Sequence, residues 1–187
     1  GLGTGDVNGL AADDVARATD AEVFAAFEDS GVEADNCVPS LVVAYTHRTV
    51  TKWNSKIVQH LSRDRTDVRR VDAQGCYVPL LTTHRKMCSG PAWHYVPQAS
   101  MLLFPGMLVT LGLRQGPRPK HTVLVIDRIG IDHIRCRAPK RHGLGGEYVF
   151  LMRHKYRIAE ETGEQFIFWQ FPILPAYCRT AMSVQGG

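Results

Sequence analysis

Apolar residues near position 40 predict one strand followed by one helix. The run SLVVAYT at 40–46 is almost wholly apolar and of strand length, as in a strand buried on both faces of a parallel sheet. Thr49 then provides a candidate helix cap. Four apolar residues recur behind it at helical spacing: Val50, Trp53, Ile57 and Leu61. Residues 40–62 are therefore predicted to form half of an α/β unit.

The segment before this unit predicts short helices. Residues 11–30 are rich in alanine and acidic residues, and Thr19 followed by Glu22 fits a capping box. We expect one or two helices that end near Gly31. Residues 66–100 contain one candidate strand, DVRRVDA, and a loop-like stretch rich in Gly and Pro whose order the pattern does not give.

From Met101 onward the chain consists of short strand-like runs separated by turns. The runs are MLLF, MLVTLGL, HTVLVIDRI, HIRCR and EYVFLMRH. Runs of this length and spacing predict a small antiparallel barrel. The later run FIFWQFPILPAYC predicts two buried strands parted at Pro172, since proline lacks the N–H that a central strand needs.

These patterns of apolar and polar residues predict an α/β fold with a β insertion. An acidic helical lead-in occupies 1–36, the first part of the α/β domain 37–100, the inserted β-barrel 101–170, and a return strand 171–187. An insertion explains the change from an α/β pattern to short strand-like runs better than two tandem domains do, because 173–187 is too short to fold alone. We expect the domain to be truncated within its return strand.

Charge is distributed unevenly, although the net formal charge is only +4. Residues 1–36 carry one arginine and nine acids, a net of −8, whereas 114–157 carry eleven lysines and arginines and three acids, a net of +8. The basic block is interleaved with Tyr148, Phe150 and Tyr156. It suits either a phosphate backbone or a solvated face without a polyanion, and composition leaves the two equal.

The cysteines favour buried thiols over a disulfide framework. All five are widely spread and none are spaced as CxxC. His84, Cys88 and His94 could supply mixed zinc ligands but lack a fourth, so a structural thiol with surface imidazoles is preferred. No run has the roughly 18 apolar residues of a membrane span and no signal peptide opens the chain, which predicts a soluble intracellular protein without a membrane partner.

Three motifs resemble PIF-type DNA helicases, the 5′-to-3′ branch of superfamily 1 that includes Helitron-like and RecD-like enzymes. The ending QFPILPAYCRTAMSVQGG resembles the family's Gln-Phe-Pro-Leu strand and its Thr-x-x-Lys-Ser-Gln-Gly motif. The stretch VVAYTHRTVTKWN resembles a strand ending in Ala-Pro-Thr-Asn with a helix behind it. LLFPGMLVTL resembles the entry into the family's small barrel. The three cover about residues 40–187 in the family's order.

The resemblance implies that the parallel sheet is part of the second RecA-like domain and that the insertion is its small barrel. It implies that the turn after the return strand contacts single-stranded DNA through Thr180, Gln185 and Gly186. Phosphate contacts would come from Arg135, Arg137, Lys140 and Arg141 of the barrel. Trp93 or Tyr95 would offer stacking surfaces, although packing roles are favoured for both.

The turn after the first strand carries two further candidates. His47 is expected to face DNA or the nucleotide cleft, and Arg48 is a candidate for that cleft, with an exposed helix-start residue as its alternative. In a nucleus or mitochondrion, if the source is eukaryotic, such a protein would meet DNA.

The chain departs from the family in its nucleotide chemistry. Ser183 stands at the lysine position of the final motif, and the barrel's Asn-Gly turn is reduced to RQGPRPK. No GxxxxGK[ST] loop occurs, so we expect no catalytic residue here and no ATP hydrolysis by this chain alone. ATP and Mg²⁺ would be bound by the complete protein, with an N-terminal RecA-like domain or neighbouring subunits as partners.

Three functional hypotheses follow. The first is the C-terminal part of an ATP-dependent helicase that grips single-stranded DNA and contributes part of the cleft. The second is a non-catalytic, helicase-derived nucleic-acid-binding or scaffold subunit of a larger nucleoprotein assembly. The third is a misleading resemblance over a β-rich binding domain, which would lack a parallel pair around 40–62 and 173–180.

Overall fold

The computed structural model describes residues 20–28, 42–75, 98–138, 147–159 and 165–180. Two helices and twelve strands lie within these ranges. They are α1 Asp20–Glu28, β1 Val42–Ala44, α2 His47–Ser62, β2 Arg69–Asp72, β3 Gln74–Gly75, β4 Ser100–Leu103, β5 Leu108–Leu111, β6 Val123–Ile129, β7 His133–Arg137, β8 Tyr148–Met152, β9 His154–Ala159, β10 Gln165–Gln170, β11 Ile173–Pro175 and β12 Cys178–Thr180.

The described strands form four small sheets. One is the parallel pair β1–β12; the others are antiparallel, in the orders β2–β4, β3–β10–β9 and β11–β5–β6–β7–β8. The fold is therefore mixed α/β with one parallel pair, and the predicted parallel pairing of the first strand with the return strand is confirmed. No closed barrel is found among the described strands.

The predicted strand, turn and helix at 40–62 are present, with two corrections. Thr46, not Thr49, caps α2: its extended backbone ends the turn, and its hydroxyl accepts the Thr49 N–H at 3.2 Å. Val43 is 40% exposed, so β1 is not buried on both faces. Ala44, whose side chain lies on the opposite face of the strand, is 6% exposed, so only that face of β1 is buried.

The first helix lies against the second. In α1, Phe24 stacks on His60 of α2 with ring centroids 4.2 Å apart, and Asp20 forms an ion pair with Lys56 at 2.5 Å. A helix in the acidic segment is thus confirmed over Asp20–Glu28. Its predicted cap, Thr19, and its predicted end near Gly31 lie outside the described residues.

The predicted strand-like runs after Met101 all form strands. The turn into β5 passes through Pro105 and Gly106, where φ is +85° at the glycine, a conformation that a side chain would strain. The bond from Met107 N–H to Phe104 O closes this turn at 3.1 Å. Strand β9 was not predicted separately; its polar sequence is held by pairing with β10 from Gln165↔Ala159 to Gln170↔His154.

Two pairs of strands are nearly continuous. Arg153 alone separates β8 from β9, and Phe171 and Pro172 separate β10 from β11, which confirms the predicted parting at Pro172. Because β9 pairs with β10 while β11 pairs with β5, these two long bent segments link the five-stranded sheet to the three-stranded one.

One buried cluster joins the α/β half to the β strands. It includes Ile57 of α2, Leu103 of β4, Val109 of β5, Ile134 of β7 and Phe171, each 1% exposed or less. Burial of such side chains is worth about 1.5–3 kcal/mol each. The helix and the antiparallel strands are therefore packed on a shared core.

Candidate nucleic-acid interface

The candidate site begins at the carboxyl edge of the parallel pair. In this pair Val42 is in register with Cys178 and Ala44 with Thr180, so both strands end at one edge. The ends of parallel strands are where α/β proteins place ligands, because loops and helix N-termini meet there. Tyr45 follows β1 at this edge and is 74% exposed.

The first turn of α2 lies at the same edge. Thr46 caps the helix, and the turn contains no acidic residue. His47 and Arg48 follow it and are exposed. The N-terminus of a 16-residue helix carries partial positive charge, so this edge favours an anion.

Three chain segments bring basic side chains together beside this turn. His121, in the loop between β5 and β6, has a φ of +69°, and its N–H bonds to Leu111 O at 2.8 Å. Burial lowers the pKa of His121, and the positive charges of Lys120, Arg179 and His47 lower it further. We call His47, Lys120, His121 and Arg179 the edge cluster. The positive charges of Lys120 and Arg179 in this cluster favour an anionic ligand.

A side-chain amide fixes β12 against α2. Asn54, 6% exposed, donates from Nδ2 to Cys178 O at 3.0 Å and accepts the Cys178 N–H on Oδ1 at 2.8 Å. The Asn54 amide therefore makes the two backbone hydrogen bonds that a neighbouring strand would otherwise make with Cys178. Arg179 and Thr180 follow directly, so this pair of bonds holds both at the edge.

A second buried amide joins the strands behind the edge. Gln170 is fully buried; its Oε1 accepts the Phe171 N–H at 3.0 Å, and its Nε2 donates to Gln98 O at 3.2 Å. Arg153 donates to the same Oε1 at 3.2 Å and its guanidinium lies 4.7 Å from the centre of the Phe171 ring. Gln170 is the glutamine of the Gln-Phe-Pro motif, and in this structure its role is to join strands.

Arg135 and Arg137 lie elsewhere, on β7. Both are half-buried, and in register Arg135 lies opposite Phe150 and Arg137 opposite Tyr148. Arg135 forms an ion pair with Asp127 at 2.5 Å, and its guanidinium carbon lies 4.7 Å from the centre of the Tyr148 ring. A phosphate would have to compete with Asp127 for Arg135.

The predicted site residues therefore fall into two groups. Thr180, His47 and Arg48 meet at the edge of the parallel pair, whereas Arg135 and Arg137 lie on the five-stranded sheet. The remaining predicted residues lie outside the described ranges and stay predictions: Gln185, Gly186, Lys140, Arg141, Trp93 and Tyr95.

Sequence reasoning missed four residues of the edge. Lys120 and His121 lie in a loop whose motif match is weak, and Arg179 was passed over beside Thr180. Tyr45 could have been found, because it directly follows the apolar run at a strand's carboxyl end. The other three are joined to His47 by tertiary structure alone.

Metal and thiol chemistry receive no support from the described ranges. No group of three metal-ligating side chains occurs among the described residues. His84, Cys88 and His94 lie outside them. Burial raises the pKa of Cys136 and of Cys178 to about 12, so both thiols are protonated at neutral pH. Among the described residues, no helix combines the length and apolar character needed to cross a bilayer.

No protein-family model and no curated protein matches the chain. Solved structures do. Bacteroides Pif1 bound to ssDNA matches with a TM-score of 0.55 at 13% identity, covering 92% of this chain and 38% of that one. Pif1 helicase from Candida albicans matches with a TM-score of 0.54 at 14% identity, covering 90% and 42%.

A third structure, Bacteroides Pif1 helicase in complex with ADP-AlF3 and ssDNA, matches with a TM-score of 0.53 at 14% identity, covering 89% of this chain and 37% of that one. The chain thus shares the fold of part of the Pif1 helicases and spans about two fifths of the length of these three.

Proposed function

We propose that this chain is the C-terminal part of a PIF-type DNA helicase and that it grips single-stranded DNA at the edge cluster. The observation that carries the proposal is the convergence of four basic side chains beside the capped N-terminus of α2, at the carboxyl edge of the parallel pair. A fold shared with helicase structures that contain ssDNA supports it.

The backbone and the side chains at this edge suit the phosphates and bases of single-stranded DNA. The helix N-terminus favours negative charge, and Lys120 and Arg179 supply cations. Tyr45, 74% exposed, is available for a base to stack on. Thr180 would add a hydroxyl contact, with Gln185 and Gly186 continuing it, and Arg48 would face the nucleotide cleft.

The inserted barrel belongs to this proposal. The pairings run from β5 through β6 and β7 to β8, from β9 to β10, and from β11 back to β5, with β8–β9 and β10–β11 nearly continuous. This circular order suits a small strongly bent barrel. The boundaries 1–36, 37–100, 101–170 and 171–187 are proposed with it, as is the RecA-like nature of the parallel pair.

In this proposal, ATP and Mg²⁺ are bound by the other half of the enzyme. A phosphate-binding loop is absent from this sequence, so an N-terminal RecA-like domain or a neighbouring subunit would bind the nucleotide. This half would supply DNA grip and one wall of the cleft. Such an enzyme would work inside the cell, in processes such as DNA repair and recombination.

The test is oligonucleotide binding to the 187-residue chain by fluorescence anisotropy across a salt series. We expect affinity to fall steeply with salt. Arg179→Gln should weaken binding to any sequence and reduce the salt slope by about one, as expected when one phosphate contact is lost.

Arg69→Gln is the matched control, because it removes the same charge from an exposed position on β2. Both variants should keep the wild-type circular dichroism spectrum. Absence of salt-sensitive binding by the wild-type chain would refute the proposal, and equal losses for the two variants would refute the assignment of the edge cluster.

A second function is favoured by one sequence observation. Ser183 replaces the lysine of the final motif, which suits a helicase-derived binding or scaffold subunit that has lost nucleotide chemistry. The two functions differ in coupling to nucleotide. Mixing the chain with a domain that carries a phosphate-binding loop should yield DNA-stimulated ATP hydrolysis only under the first.

A further inference from the structure

Exposed rings and cationic side chains share the outer face of β7 and β8. Tyr148, Phe150 and Met152 are 51%, 60% and 57% exposed. The residues between them on β8 face the other way, and Leu151 is fully buried. On β7 the matching positions are held by His133, Arg135 and Arg137, in register with Met152, Phe150 and Tyr148 respectively. We call these six side chains the outer face.

Each exposed ring on this face has a cationic or imidazole neighbour. The guanidinium carbon of Arg135 lies 4.7 Å from the centre of the Tyr148 ring, and the His133 ring lies 5.6 Å from that of Phe150. The two aromatic residues are two apart on one strand, which separates their Cα atoms by about 6.6–6.8 Å along the strand.

We propose that the outer face is a base-stacking surface for single-stranded nucleic acid, with Tyr148 and Phe150 each receiving a base. The inference rests on the proposed function, because it requires that the chain bind a single strand, and it adds a second contact surface. Aromatic rings accept bases of any sequence, and β-sheet faces that carry them are a common platform for single strands.

The ionisable side chains of the outer face favour a nucleic acid as its partner, because three of the six side chains are basic and none is acidic. Here His133, Arg135 and Arg137 lie directly between or beside the exposed rings, which suits a ligand that alternates flat bases with phosphates. Two arginines of this region are already paired with acids: Arg135 with Asp127, and Arg118 with Glu147 at 3.0 Å.

The pairing of Arg135 with Asp127 distinguishes the outer face from the edge cluster. At the edge, attraction is Coulombic and should be lost with salt; on the outer face, the Arg135 charge is already paired, so stacking should dominate. Removal of a ring is therefore expected to weaken binding without changing the salt slope.

The experiment compares two strands and two positions by fluorescence anisotropy with the 187-residue chain. The probes are a labelled oligothymidylate and an abasic strand of the same length and label. Phe150→Ala and Tyr148→Ala should each weaken binding of oligothymidylate about 5- to 150-fold. Neither should change binding of the abasic strand, and Phe150→Tyr should restore wild-type affinity.

Ile131→Ala is the matched control, because Ile131 is an apolar side chain 84% exposed in the turn between β6 and β7. It should bind both strands as the wild type does. Circular dichroism of each variant checks that the exposed positions can be changed without unfolding.

The outcomes separate the two proposals. If the wild type binds oligothymidylate in a salt-sensitive manner but the ring variants bind it equally well, the stacking surface is refuted and the edge cluster stands; a partner polypeptide on this face would give that result. Equal losses on both strands would also refute stacking. If the wild type binds neither strand, the proposed function itself fails.

Discussion

The two hydrogen bonds between the Asn54 side chain and the Cys178 backbone, which we call the amide clamp, should affect both the stability of the fold and the geometry of the candidate site. Asn54→Ala removes both bonds to Cys178, a residue only 1% exposed, and leaves its N–H and C=O without those partners. Each buried unsatisfied group costs about 1–3 kcal/mol, so the loss of partners for two groups should cost the variant about 2–6 kcal/mol. That is a large part of the 5–15 kcal/mol by which domains are commonly stable.

The variant Asn54→Asp adds a pH dependence with a definite sign. An ionised carboxylate accepts the Cys178 N–H but faces the Cys178 carbonyl oxygen, whereas a protonated carboxyl group donates to that oxygen. Burial and this contact raise the folded-state pKa of the introduced group above its unfolded value of about 3.9. Its stabilising contribution is therefore complete below the unfolded pKa and is lost as pH rises through the folded one.

Urea unfolding followed by tryptophan fluorescence measures these effects, because Trp53 lies on the same helix. We expect the stability difference between Asn54→Asp and Asn54→Ala to shrink steadily from about pH 4.5 to 7.5. Gln59→Ala, at an exposed position on α2, is the control and should be near neutral.

Two results would refute the reasoning. One is an Asn54→Ala variant within about 0.5 kcal/mol of wild type, the range of ordinary surface changes. The other is a pH-independent difference between the two variants. If the clamp also holds the edge cluster in place, Asn54→Ala should weaken oligonucleotide binding under conditions in which it remains folded.

Two further predictions concern the buried interior. Gln170→Leu should cost about 1–3 kcal/mol in urea unfolding, because the buried Phe171 N–H loses its acceptor, whereas Gln59→Leu on the surface should cost little; equal costs would count against the assignment. In a variant whose other three cysteines are serine, Cys136 and Cys178, with pKa values of about 12, should react with a thiol reagent at pH 8 only as fast as the protein unfolds. Labelling at the rate of a free thiol would contradict their burial.

Local patterns predicted much of the secondary structure. The strands after Met101, the amphipathic helix behind β1 and the parting at Pro172 depend on nearest-neighbour chemistry, so they could be found by inspection. The helix cap was misplaced by three residues because Thr46 and Thr49 satisfy the same pattern. Strand β9 was missed because pairing with β10, and not its own composition, holds it extended.

The resemblance to PIF-type helicases, found from three short motifs, is matched at the level of fold by helicase structures that are only 13–14% identical. Such motifs mark backbone positions where few residue types are tolerated. They predicted the parallel pairing of the first strand with the return strand, which are more than 130 residues apart. They did not indicate that the basic residues Lys120, His121 and Arg179 would gather beside His47.

By itself, the sequence determined most of the strands after Met101, the helix behind β1 and the break at Pro172, and it indicated that two strands far apart resemble parts of one sheet. Periodicity, proline and capping chemistry act over a few residues, so they can be read along the chain. Tertiary structure alone decided that Asn54 bonds to Cys178 and that Arg135 is paired with Asp127. It also decided that the exposed rings of β8 lie beside the basic side chains of β7 on the outer face. Those contacts depend on register and on the order of strands, which are selected by packing of the common core and not by any local pattern.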